Sequence, residues 1–122
     1  VTESWTIRLP YSTPPLTLNG RQHWATKARG VKEVRGTTAT LARVLQIPAC
    51  ESIHVQLHYV PRDGRRRDAD NLVGTLKPCI DGLVDAGVVP DDSPEYVTWS
   101  PPVIDAPDFN YPHLYLVIER TT

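Results

Sequence analysis
The chain begins with an alternation. Trp5, Ile7 and Leu9 are apolar and Thr6 and Arg8 between them are polar, which is the period of a half-buried strand. Pro10, Pro14 and Pro15 end that strand, and Asn19-Gly20 marks a turn. From about Thr26 to Gln46 the spacing becomes helical. Ala28, Val31, Val34, Leu41, Val44 and Leu45 predict a buried side, with Lys27, Lys32, Arg35 and Arg43 opposite and Gly30 and Gly36 weakening the first half. Ile53, Val55, Leu57 and Tyr59 alternate with His54, Gln56 and His58, predicting a second strand with one polar face. A second helix is expected over Asp70 to Ala86, stopped by Gly87. A third strand is expected from Tyr96 to Ser100. Pro101, Pro102, Pro107 and Pro112 keep the next stretch irregular, and Leu114, Leu116 and Ile118 form a last strand ending near Arg120. The expected fold is α+β: one small domain over residues 1–122, with a mixed sheet of about four strands and two helices in the order β-α-β-α-β-β.

Composition removes several classes. A chain of 122 residues is one domain and can bury a core without disulfides or a structural metal. No apolar run approaches the roughly 20 residues of a membrane helix, so no membrane partner is expected. The first residues lack the order of a signal peptide, and Cys50 and Cys79 form neither a C-x-x-C pair nor a disulfide framework. A reduced, cytoplasmic protein with structural thiols is the expectation. His54 and His58 share a strand face, but too few further ligands accompany them for a zinc site, so they are read as structural or surface groups.

Charge is unevenly placed. Residues 1–67 hold eleven Lys and Arg against Glu3, Glu33, Glu51 and Asp63, while residues 68–122 hold Lys77 and Arg120 against ten acids. The split fits a nucleic-acid surface beside an anionic site, or two halves that neutralise each other on folding.

The chemistry concentrates in Arg65-Arg66-Arg67-Asp68-Ala69-Asp70-Asn71, then Lys77, Asp81 and Asp91-Asp92. In an extended segment Asp68 and Asp70 project to one side. Two carboxylates sharing a site repel unless a cation lies between them, and an all-oxygen site suits Mg²⁺. Asp91 or Asp92 would supply a third acid. Helix capping by Asp68, Asp70 and Asn71 is the competing explanation, but one cap accounts for one acid and not for the pair. Along a helix, Lys77 and Asp81 fall within about 20° of the direction of Asp70 and make a polar stripe, opposite Leu72, Leu76, Ile80 and Leu83. Gly74, Pro78 and Gly82 flank the stripe with small side chains, leaving room for a phosphate backbone or a second subunit. Pro78 predicts a kink.

At these residues the chain resembles the RusA family of Holliday-junction resolvases. The Arg-rich loop, Asp68-x-Asp70-Asn71, Lys77 followed by Ile80-Asp81-x-Leu83, Ala86-Gly87 and Asp91-Asp92 carry the likeness, with Leu9-Pro10 and the Pro-rich loop to Asn19 similar to the family's opening. The resemblance implies a homodimeric endodeoxyribonuclease that binds four-way DNA junctions and cuts two strands symmetrically with Mg²⁺, Mn²⁺ substituting, in recombination and repair. It implies Asp68, Asp70 and Asp92 as metal ligands and Lys77 as the essential lysine. The stretch from Asn71 to Lys77 is longer than in the best-known members by about one helical turn, which keeps Lys77 on the acid face and moves it along the axis. Arg65, Arg66, Arg67, Asn19, Lys27 and Lys32 would contact DNA, and Asn71, Asp81 and Asp91 would stand behind the ligands. A non-catalytic DNA-binding or phage DNA-processing module of the same fold is the alternative.

Overall fold
The computed structural model describes residues 2–17 and 23–121. Its elements are β1 (Ser4–Leu9), α1 (Trp24–Val44), β2 (Ile53–Val60), a 3-10 turn (Ala69–Leu72) running into α2 (Val73–Asp85), β3 (Val97–Trp99), β4 (Val103–Ile104) and β5 (His113–Arg120). This is an α+β domain with a mixed sheet in the order β1-β5-β2-β3, β4 also lying along β2. β5 runs antiparallel to β1 and β2, and β3 and β4 run parallel to β2.

Five strands replace the expected four because β3 and β4 are one sheet edge interrupted by Pro101-Pro102. A proline has no N–H to give the ladder. Ser100 N–H still reaches the Val55 carbonyl, Asp105 N–H reaches that of Tyr59, and the Gln56 amide donates to the Pro101 carbonyl between them.

The strand alternation is borne out. Ile7, Leu9, Ile53, Val55, Leu57, Leu114, Leu116 and Ile118 are buried on one face, beneath both helices. The other face carries Thr6, Arg8, His54, Gln56, His58, Tyr115 and Glu119.

The helices differ in detail from the expectation. α1 stops at Val44 because Gln46 takes a left-handed conformation (φ 56°), and Val44, placed in the core by the apolar pattern, is 70% exposed. The buried stripe of α1 is Val34, Thr38, Ala39 and Ala42, small residues that let α2 approach. α2 runs through Pro78 without a break and ends at Gly87 (φ 81°), where Gly87 N–H bonds Val84 O and Val88 N–H bonds Leu83 O. Gly82 is packed against α1 and Pro78 is buried, so neither leaves space for a ligand. The carboxyl end of α2 is clamped to the middle of α1 by Arg35, which holds Asp85 through Nε at 2.5 Å and Nη2 at 2.8 Å. Cys50 and Cys79 are free and buried, and burial pushes the Cys79 thiol up to about 12. Among the described residues no helix is long and apolar enough to cross a membrane.

Candidate active site
One end of the domain gathers the polar chemistry. β1 leaves the sheet here into the proline-rich opening loop, β2 leaves it into the arginine turn, and α2 begins here. Thr75, fully buried in the first turn of α2, donates to the Leu16 carbonyl at 2.7 Å and accepts from Leu16 N–H at 3.3 Å. That pair ties the opening loop to the helix start. Asp108 N–H donates to the Pro61 carbonyl at 2.8 Å and brings the β4–β5 loop to the same end. The aromatic rings of Trp24 and Phe109 are 77% and 79% exposed.

Asp68 caps the 3-10 turn. Its Oδ1 accepts Asp70 N–H at 3.0 Å, and its carbonyl accepts Asn71 N–H. This bond tightens the chain, so the expected helix start at Asp70 is a 3-10 turn and α-helical geometry begins at Val73. The capping and paired-acid readings of Asp68 are compatible. One carboxylate oxygen serves the cap, and the exposed carboxylate of Asp70 accepts no hydrogen bond among the described residues.

Asp91 and Asp92 lie beyond the far end of α2, a helix of 13 residues and so about 20 Å long. Asp91 closes a tight turn, its Oδ1 accepting Ser93 N–H at 2.7 Å. Asp92 is exposed and close enough to Asp81 to act on its charge. Burial raises the Asp81 carboxyl above the usual carboxylate range; Arg35 opposes this, Asp92 adds to it, and Lys77 opposes it more weakly. Lys77 is exposed on α2 and makes no ion pair with Asp81 among the described residues. Lys77 and Asp81, four residues apart, share one face of α2, while Asp70 lies in the 3-10 turn before that helix, where the expected α-helical register does not apply. Among the described residues, no three His, Cys, Asp or Glu side chains are grouped to hold a metal ion. Within one chain, the Asp68 carboxylate reaches the Asp70 backbone N–H, and Asp92 lies beyond the other end of α2.

The two amino-end carboxylates still suit Mg²⁺, which binds through one or two carboxylates and retains several waters. Asp68 keeps an uncommitted oxygen and Asp70 keeps both.

The basic residues divide. Arg67 is half-buried and bonded to Asp63, Arg65 pairs with Asp63 at 3.4 Å, and Arg66 is exposed. Lys27 and Lys32 are exposed on α1, whereas Arg35 and Arg43 are turned to the end of α2, Arg43 donating to the Asp85 carbonyl. Asn19 lies outside the described residues. Asn71 is half-buried beside the Asp68 cap. Both strand histidines have local partners: His54 bridges Thr98 and Ser100 at 2.7 Å each, and His58 contacts Asp105 and stacks on Tyr115. Sequence reading passed over Asp63, the organiser of the arginine turn. Its signal was Pro61-x-Asp63-Gly64, a turn whose acid sits among four arginines.

No family model matches the chain. It is similar to a protein of Xylella fastidiosa (strain Temecula1 / ATCC 700964) named "Uncharacterized protein", with 29% identity over 91 residues. The match takes in 70% of this chain, which spans 60% of that relative's length.

Proposed function
We propose that this chain is a Mg²⁺-dependent endodeoxyribonuclease of the RusA type, acting as a homodimer on four-way DNA junctions. The observation that carries the reading is the Asp68–Asp70 pair, two exposed carboxylates separated by Ala69 in the turn that leads into α2, directly after a turn rich in arginine. Clustered anions beside clustered cations are what phosphodiester hydrolysis needs: charge to hold the strand and oxygens to hold a hard metal.

Asp68 and Asp70 would hold the ion, which when bound polarises the scissile phosphate and lowers the pKa of water. The chain's own groups do the rest. The Asp68 cap fixes the backbone of the turn from which both carboxylates project. Lys77, in the second turn of α2, offers a point charge to the negative charge that develops on phosphate oxygens. Arg65 and Arg66, together with Lys27 and Lys32, contribute salt-dependent affinity for the backbone. In a homodimer, the copy that supplies Asp92 need not be the copy that supplies Asp68 and Asp70, since α2 separates them within one chain.

A second reading has its own support. The lack of a three-acid group among the described residues favours a DNA-binding module of the same fold that does not cut. One assay separates the two. A labelled four-way junction is incubated with the protein in Mg²⁺ or Mn²⁺, beside a linear duplex. Paired nicks in the junction, abolished by Asp70→Asn while binding persists, support the nuclease. Binding without cleavage in either metal supports the module, and normal cleavage by Asp70→Asn removes the assigned role.

A further inference from the structure
Hydrogen-bond parity decides which side of β1 each residue serves. In an antiparallel pair, alternate residues turn both N–H and C=O to the neighbouring strand, and the residues between them turn both away. Ser4 lies opposite Glu119 and the Arg120 N–H donates to the Glu3 carbonyl at 2.9 Å, so Glu3, Trp5, Ile7 and Leu9 bond β5. Ser4, Thr6 and Arg8 therefore direct their main-chain groups to the outer edge of the sheet, where β1 is the last strand. All three residues are exposed, and among the described residues nothing hydrogen-bonds those groups.

The two edges of the sheet are built differently. The edge at β3 and β4 is short and broken by Pro101-Pro102, which blocks pairing with another chain. β1 has six residues, no proline and one charged side chain, Arg8. An edge of this kind is a template for a further strand. Beside it runs a groove of about 460 Å³, bordered by Arg8 and Pro10 on one side and by Gly36, Thr37, Thr40 and Leu41 of α1 on the other. Val44 follows Thr40 and Leu41 at helical spacing and continues that face of α1. Its 70% exposure, against the apolar pattern, leaves it uncovered among the described residues.

We propose that the β1 edge and this groove are the surface on which a second copy of the chain docks, β1 pairing antiparallel with the partner's β1 about a two-fold axis at Thr6. Directly opposed residues share a sheet face, so a two-fold pairing joins positions of equal parity. With the axis at Thr6, Thr6 meets the partner's Thr6 and Ser4 meets the partner's Arg8. Each pair exchanges two main-chain hydrogen bonds, about six in all, and every outward group of β1 is used. On the helix-covered face Trp5 lies opposite the partner's Ile7, and on the other face the two Arg8 side chains stay apart. A second copy is the occupant this register selects, because the edge is its own complement. A strand pair alone falls short of the roughly 800 Å² that each partner gives to a standard interface, and Leu41 and Val44 add apolar area beside it. The inference gives the homodimer of the reading above a surface and rests on that homodimer, but not on the acids or on cleavage.

Sedimentation velocity over a wide concentration range, without DNA or divalent ions, tests it. The native chain is expected to reach the mass of two chains. Thr6→Pro removes one outward N–H and no bond to β5, and proline is tolerated on a sheet edge, so a folded single chain is expected. Val44→Asp leaves the strand intact and is expected to weaken pairing about tenfold by placing a charge in an apolar contact. It keeps the test decisive where Thr6→Pro fails to fold. Under oxidised glutathione, Thr6→Cys is expected to give a covalent pair across the axis, whereas Ser4→Cys, about 13 Å along the strand from its counterpart, is not. A native chain that stays single at every concentration overturns the inference and the homodimer together. A two-chain mass retained by both Thr6→Pro and Val44→Asp overturns the inference and leaves a homodimer on another surface. Cross-linking of Ser4→Cys but not of Thr6→Cys overturns the register. A chain that pairs in this way but never nicks a junction defeats the nuclease reading and leaves the interface standing.

Discussion

Gly82 of α2 lies so close to Arg35 of α1 that a Cβ built on it would stand 2.5 Å from the Arg35 carbonyl oxygen and 2.9 Å from Thr38 Cβ. Backbone cannot withdraw from such a contact as a side-chain tip can, so the two helices meet at this distance only because residue 82 has no side chain.

Gly82→Ala is therefore expected to destabilise the protein by about 1–3 kcal/mol, the cost of overpacking, although alanine is the better helix former by up to about 1 kcal/mol. Urea unfolding measures it. A variant as stable as the parent, or more stable, would show that the helices separate freely. Gly36→Ala, where an added Cβ meets nothing within 4 Å, serves as the control and is expected to gain stability.

Asp81 supplies a prediction of opposite sign. Burial raises its carboxyl, so the folded state favours the protonated form. Its contribution is favourable below the unfolded carboxylate pKa of about 4 and is lost as pH rises through the folded value. At neutral pH the ionised group is a liability, and Asp81→Asn is expected to raise the thermal midpoint at pH 7 and to matter least near pH 3. A lower midpoint at pH 7 would mean that Asp81 is held by a favourable partner instead.

Alkaline stability turns on Tyr115. Burial first, and then its hydrogen bond to Asp105 Oδ2 at 2.5 Å, raise the phenol to about 12 from an ordinary value of 10.0. The contribution is complete below about pH 10 and disappears as pH rises through the folded value. Tyrosinate absorbance is expected to show one phenol ionising about two units late, absent in Tyr115→Phe, and the variant's stability is expected to decline less between pH 10 and 12. If that late step survives in Tyr115→Phe, it belongs to another tyrosine.

Much of the fold was legible along the chain. Period-two alternation marks β1, β2 and β5 because one sheet face is dry and the other wet, and each strand declares that difference locally. Gly87 marks the end of α2 for an equally local reason, since the left-handed turn there suits a residue without Cβ. The buried face of α1 was less legible. Apolar spacing pointed to Val44 and Leu45, but the contact with α2 is made by Thr38, Ala39 and Ala42, whose small size matters only once Gly82 lies opposite. β4 escaped notice because two residues between Pro101-Pro102 and Pro107 carry no periodicity; pairing with β2 makes them a strand.

The candidate site divides in the same way. By itself the sequence determined which groups are neighbours along the chain: the order Arg65 to Asp70 alone puts cations beside paired acids, and helical spacing alone aligns Lys77 with Asp81, because both depend on neighbours within a turn or two of chain. Only the tertiary structure decided which of these groups meet. α2 crosses the sheet from one end to the other, so it carries Asp92 away from Asp68 and Asp70, while the return of β1 and β2 to a common end sets Ser12 and Thr13 against Arg62 and Arg67. Distances between residues far apart in the chain are set by how the elements pack, and that packing depends on side-chain volumes meeting across the core.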